Sequence, residues 1–223
     1  MRFRDREEAG DQLVTQVTAL LTGLGIGPST PARTALQVLA LPRGGVPVAR
    51  PIATALERPL RVLLVRKLGL PAHAELAIGA IAALGGRLVA VRNVDVLHSY
   101  AIDDQTWDHL ERRERAELAR RSERFAGFLP AEVAGSPVLL VDDGLATGAT
   151  MRPAAGVIRG AGADPVLIAI PVASRSAVEM LTADGAYVVW LTMPDPLIAV
   201  GEAYRDFHQL TDDEVLGLLR ACE

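Results

Sequence analysis

Two adjacent carboxylates, Asp142 and Asp143, stand between an apolar run and a stretch of small residues, in the sequence VLLVDDGLATGAT over 138–150. The apolar run Val138–Val141 reads as a short, fully buried parallel strand. Such a strand delivers both acids to its carboxyl end, and a helical pattern begins near Met151. In open α/β sheets, ligands bind outside the carboxyl ends of the strands. Small residues let backbone N–H groups close on an anion, and the N-terminus of the next helix adds partial positive charge. The acids suit sugar hydroxyls or a metal, while the amides and hydroxyls of Ala146, Thr147, Gly148, Ala149 and Thr150 suit a phosphate. A phosphorylated sugar fits both halves.

Competing loops fit less well. Receiver domains pair acids around a metal, but they place them early in the chain and need a lysine well downstream. The only lysine here, Lys67, lies upstream. A Walker loop needs Gly-Lys-Ser/Thr, whereas 148–150 reads Gly-Ala-Thr, and the dinucleotide fingerprint GxGxxG is absent. A structural turn is the plain alternative, and two acids beside a small-residue loop favour a ligand over it.

Two other strand ends carry cations. Residues 35–41 read as a strand, followed by Pro42-Arg43-Gly44-Gly45 and a helix over 46–57. Gly44 and Gly45 permit unusual backbone angles and bare amides. Arg43 adds a planar, permanently charged fork suited to phosphate oxygens. Residues 60–65 read as a strand ending in Arg66 and Lys67. The stretch 68–75 then reads as a loop, in which His73 is a solvated residue and Glu75 the better acid/base candidate. Taken singly, each of these is equally an ordinary turn with exposed charge.

The elements that must position these groups alternate strand and helix, which implies right-handed crossovers and a mostly parallel sheet. Residues 5–23 form an amphipathic helix with Asp5 as cap and Glu8 three positions on; a core-covering helix is the plainer reading, a lid or dimer element the sharper one. Segments 76–83 and 88–91 predict a hairpin around Gly85-Gly86. A charged helix over 104–126 carries Arg112, Arg113, Arg120, Arg121 and Arg124; it reads as a solvated, salt-bridged face. Strands at 165–172 and 187–191, a helix at 176–182 and a last helix at Asp212–Arg220 complete the chain.

The motif at 138–150 resembles the 5-phosphoribosyl-1-diphosphate (PRPP) motif of type I phosphoribosyltransferases, matching at Asp142, Asp143, Thr147, Gly148 and Thr150, and departing at Gly144 where the family places an apolar residue. PRGG at 42–45 resembles that family's pyrophosphate loop, and Arg66-Lys67 resembles the pair closing the corresponding strand in adenine enzymes. The resemblance, which extends over nearly the whole chain to a widespread bacterial group, implies an α/β fold with a central mostly parallel sheet flanked by helices. It also implies a single domain over 1–223, a small hood from 1–30 and 194–223, and a mobile flap over 68–82. It implies PRPP and a nitrogenous base as substrates and Mg²⁺ as cofactor, with Asp142 and Asp143 serving the ion indirectly, through ribose or water. Arg43, Gly44, Gly45, Arg66 and Lys67 would meet the diphosphate; Arg43, Lys67 and Glu75 would carry catalysis; a cis peptide at Arg43–Gly44 would come with the loop. Tyr204 and Phe207, in a segment like the tail of hypoxanthine-guanine enzymes, would stack on the acceptor, although plain packing is an equal reading. Those enzymes carry an acid where this chain has Ala146, so a 6-oxopurine is disfavoured. A helix arginine reaching diphosphate across a homodimer would also follow. A non-catalytic PRPP-binding regulator is the alternative, against which the intact Arg43 loop and Arg66-Lys67 weigh, as does the expectation that no DNA-binding segment precedes the domain.

Composition narrows the class. At 223 residues with half of them hydrophobic, one sizeable core is expected. A net charge of −4 argues against nucleic acid as partner. The single cysteine, Cys222, supports no disulfide framework. The stretch MRFRDREEAGD is too charged for a signal peptide, and no apolar run approaches the roughly 18 residues of a membrane span. A cytoplasmic protein without a membrane partner is expected.

Overall fold

The computed structural model describes residues 2–70 and 73–222. In chain order the elements are α1 (Arg6–Gly23), α2 (Pro31–Ala35), β1 (Gln37–Ala40), α3 (Gly45–Ala55), β2 (Leu60–Val62), β3 (Val65–Leu70), β4 (His73–Leu84) and β5 (Arg87–Arg92). They continue with α4 (Val94–Ser99), α5 (Asp104–Arg124), β6 (Val138–Val141), α6 (Met151–Gly160), β7 (Val166–Val172), α7 (Arg175–Ala183), β8 (Tyr187–Thr192) and α8 (Asp212–Arg220).

Five strands form a parallel sheet in the order β2-β1-β6-β7-β8, so the expected α/β architecture holds. β6 lies at its centre, buried at every position, as a strand covered on both faces must be. One face is packed under α1, α3 and α8, with Leu13, Val17, Leu21, Ile52 and Val215 in its core. The other is packed under α6 and α7 through Ile158, Leu181 and Ile168. The first helix is thus a cover for the sheet: Asp5 accepts from the Glu8 amide at 2.8 Å, and Gly10 lets α1 approach α3, because a Cβ there would lie 2.2 Å from the Val48 carbonyl oxygen.

The sequence expectation fails between 60 and 75. The strand at 60–65 stops at Val62, and Leu63 and Leu64, consecutive and fully buried, turn the chain into a second sheet. That sheet is antiparallel, β3-β4-β5. The stretch expected as a loop is therefore largely strand: Leu68 pairs with Gly79 and Leu70 with His73. Gly69 carries a loop signal, but the pairing with β4 overrides it, with register shifts on both sides of Gly69. Of the expected flap over 68–82, Pro71 and Ala72 lie outside the described residues. Upstream, 31–35 is a helical turn capped by Thr30, and β1 starts two residues later than expected. The β4–β5 hairpin turns at Gly85 and Gly86, both at positive φ, as read from the sequence.

Among the described residues, no helix is long and apolar enough to cross a membrane.

Candidate functional site

The two acids leave the carboxyl end of β6 between β1 and β7, where the three loops that follow β1, β6 and β7 converge. Asp142 Oδ1 accepts from the Asp143 amide at 2.9 Å, which orients the first carboxylate. Asp143 Oδ2 accepts from Arg6 Nε at 2.8 Å. Burial pushes the Asp142 carboxyl well above the usual range, and the charge of Asp143 beside it adds to the shift. Burial also raises Asp143, opposed by the hydrogen bond and charge of Arg6.

The small-residue loop follows directly. Leu145 pairs with Ala173, and the Ser174 hydroxyl donates to the Ala146 carbonyl at 2.6 Å, so β7 and the start of α7 fix the loop from below. Gly148 sits at φ 78°, a conformation that favours glycine. Ala149 N donates to the Thr147 hydroxyl at 3.3 Å. The amides of Ala146, Thr147, Gly148 and Thr150 donate to no protein acceptor among the described residues, and Thr147, Ala149 and Thr150 are exposed. Thr150 stands at the N-cap of α6 without using its hydroxyl as a cap. Open amides, threonine hydroxyls and a helix N-terminus make this loop suited to an anion.

The loop at 42–45 comes against the acids from β1. Gly44 has ordinary helical angles (φ −64°), so the unusual backbone that glycine permits is not used there. Close approach is the reason for glycine: a Cβ at Gly44 would lie 1.9 Å from Asp143 Oδ2, and one at Gly45 2.5 Å from the Val141 carbonyl oxygen. A cis peptide is present at Pro42–Arg43, one bond before the expected Arg43–Gly44. The Arg43 guanidinium makes no hydrogen bond or ion pair among the described residues, which leaves its fork available.

Arg66 and Lys67 do not act as a pair at a strand end. Both lie within β3, where successive side chains point to opposite faces. Arg66 turns to α5, its Nε 2.5 Å from Glu114 Oε2. Lys67 turns to α6 and lines a cavity of about 560 Å³ together with Thr147, Gly148, Ala149 and Arg152. Arg66 finds company on its own side, because α5 carries Arg121, whose guanidinium is depressed by burial and by the nearby charges of Arg43 and Arg66. The basic helix thus brings an arginine to this face within one chain.

Tyr204 does not face an acceptor. It is 1% exposed, stacked on Phe207 at 5.0 Å and tilted against Phe3 at 5.5 Å, and its hydroxyl donates to the Asp143 carbonyl. The ring packs because segments 3–4 and 203–206 pair with each other: Phe3 N donates to the Ala203 carbonyl at 2.7 Å and Arg205 N to the Phe3 carbonyl at 2.8 Å. Phe207 carries the Arg6 guanidinium 3.8 Å from its ring centroid, so Tyr204 and Arg6 already occupy it. Of the expected hood, these paired segments stand beside the acids, while α1 and α8 run against α3. The side chain of Glu75, the acid/base candidate, lies outside the described residues, as does that of His73.

Arg6 and Ser174 were missed from the sequence. Arg6 is one of several charges at a charged helix start, and Ser174 also caps α7, so nothing local marks either. The departure at Gly144 is explained, since a Cβ there would meet Val200 Cγ1 at 2.2 Å. The apolar group comes from the other segment instead.

Comparison with known proteins follows the same lines. The model of the phosphoribosyl transferase domain family matches residues 32–192. The chain belongs to the phosphoribosyl transferase family. The matched part of the phosphoribosyl transferase domain runs from α2 to the end of β8, and so includes all three loops. A protein of Mycobacterium tuberculosis, in strains CDC 1551 / Oshkosh and H37Rv, is provisionally described as a phosphoribosyl transferase and is 43% identical over 218 residues. That match covers 97% of this chain and 46% of the relative, so the chain spans about half the length of these curated relatives. A crystal structure of a Thermus thermophilus protein superposes with a TM-score of 0.82 at 42% identity, over 98% of both chains.

Proposed function

We propose that the chain transfers the 5-phosphoribosyl group from PRPP to a nitrogenous acceptor with release of diphosphate. The observation that supports this most is the contact of two strand-end loops: Gly44 lies against the Asp143 carboxylate, which places the open Arg43 beside the acid pair and its phosphate cradle. The amides of Ala146–Thr150 and the Thr147 and Thr150 hydroxyls hold the 5-phosphate, and Asp142 and Asp143 hold the ribose 2- and 3-hydroxyls. Arg43, Gly44 and Gly45 meet the diphosphate with Arg66 on the same side. Lys67, which lines the cavity beside 147–149, approaches from the phosphate side.

In the reaction an acceptor nitrogen attacks the anomeric carbon with its lone pair. The bond from that carbon to the diphosphate oxygen breaks, and diphosphate leaves with the bonding electrons. Positioning of both substrates and stabilisation of the leaving charge supply the catalysis.

Among the described residues no group of three or more His, Cys, Asp or Glu could hold a metal. Two carboxylates, one of them already paired with Arg6, offer few ligands; this fits Mg²⁺, which keeps several waters and is held largely by substrate oxygens. Bound there with Asp142 and Asp143 reached through ribose or water, the ion would neutralise diphosphate charge.

The acceptor lacks an acid partner at Ala146, which disfavours a 6-oxopurine. A homodimer acting in the cytoplasm completes the reading, and sedimentation of the purified chain reads its assembly. The deciding experiment is a diphosphate-release assay with PRPP, Mg²⁺ and a panel of nucleobases. Release above the water blank with one base is the expected result. PRPP binding without release from any base would favour the sensor reading, and no PRPP binding would end both.

A further inference from the structure

Arg6 is the least exposed charged residue among the described residues, at 8%. Burying a guanidinium is unfavourable unless its charge and its donors are met. They are met in three directions: Nε donates to Asp143 Oδ2 at 2.8 Å, Nη1 donates to the His208 carbonyl at 3.1 Å, and the π face lies 3.8 Å over Phe207. These contacts fix the plane of the fork, and the fork fixes the carboxylate. Gly44 comes against the same oxygen, Asp143 Oδ2, from which a Cβ there would lie 1.9 Å. The acid is therefore held between α1 and the 42–45 loop before any substrate arrives.

We propose that Arg6 is a positioning residue of the sugar site, holding Asp143 by one oxygen so that the other stays turned to the substrate. This rests on the reading of Asp142 and Asp143 as PRPP acids. Two consequences follow from the geometry. Pre-orientation spares the substrate the ordering of a free carboxylate. The guanidinium also sets a positive charge beside the acid pair, which lessens its repulsion of a polyanionic substrate. Because Arg6 is also held by His208 and Phe207, affinity at the acids depends on segment 203–208 staying paired with 3–4.

The test is calorimetric titration of PRPP with Mg²⁺ into the wild-type chain and the variants Arg6→Gln, Arg6→Lys, Asp143→Asn and Arg6→Gln/Asp143→Asn, at a temperature where circular dichroism shows each folded. Loss of a charge-assisted hydrogen bond at a buried acid predicts affinity weakened on the order of 10- to 100-fold in Arg6→Gln. Arg6→Lys recovers part of it. The double variant is no weaker than Asp143→Asn alone, since Arg6 acts through that acid. A role in stability alone would lower the melting temperature and leave affinity unchanged, and that result overturns the proposal, as does a double variant whose losses multiply. Should Arg6→Gln fail to fold, Phe207→Leu keeps both charges and removes the ring under the guanidinium. It is expected to weaken PRPP several-fold, and unaltered affinity there overturns the proposal equally. A wild-type chain that binds no PRPP defeats the substrate reading and this inference with it, whereas wild-type binding matched by Arg6→Gln defeats this inference alone.

Discussion

At Asp142 the demands of binding and folding conflict. A carboxylate that meets a sugar or a cation works best ionised, yet burial and the charge of Asp143 favour its protonated form. The folded chain therefore binds that proton more tightly than the unfolded one. Its contribution to stability is fully present below the ordinary carboxylate pKa and is lost as pH rises through the raised value. Carboxylates lowered by partners, such as Glu111 with its hydrogen bond from Arg115, act in the opposite sense and at lower pH, so the two windows separate. The ligand-free protein is expected to melt at progressively lower temperature as pH rises above the ordinary carboxylate range. Asp142→Asn removes this titration, so it should flatten that slope, melt no lower at neutral pH, and lose most PRPP affinity. Thermal melts across pH, with calorimetry beside them, read all three; a variant as steep as the wild type would show that the proton sits elsewhere.

Among the elements, the β3-β4-β5 sheet is where sequence and structure part. Its strands hold Lys67 toward the cavity beside 147–149 and Arg66 toward α5, so its packing decides which way each cation faces. Gly79 is the tight point. A Cβ there would lie 2.5 Å from the Val91 carbonyl oxygen and 2.6 Å from the Trp107 ring, where α5 crosses β4. Gly79→Ala is expected to destabilise by about 1–3 kcal/mol, in the range of overpacked cores, and to speed amide exchange in β4 and β5 more than in β6. Uniform exchange rates across both sheets would show that the clash is absorbed elsewhere. This sheet was half legible. The turn at Gly85-Gly86 shows in the sequence because local glycines dictate it. The strand at 65–70 does not show, because its pairing with β4 is set at a distance and Gly69 and Pro71 point locally to a loop.

For the whole molecule, the parallel sheet is the frame from which all three site loops hang. Leu139 and Leu140 of β6 face opposite cores and are both fully buried. Leu139→Ala is expected to cost about 2–5 kcal/mol, as for other buried leucines, read as a fall in the denaturation midpoint with an unchanged slope on denaturant. A loss within about 0.5 kcal/mol, as at exposed positions, would show that this core is not shared by the frame. By itself the sequence determined most of the strand-and-helix order, the acid pair with the small-residue loop after it, and the arginine loop at 42–45. Each of these is written in contiguous residues whose periodicity, charge or small size acts locally. The tertiary structure alone decided that Arg6 reaches Asp143 across 137 positions, that Arg66 and Lys67 part to opposite faces, and that Tyr204 packs against Phe3 instead of a ligand. Those outcomes depend on which distant segments come together, and a charged or aromatic residue looks the same in sequence whether it is solvated, paired or buried.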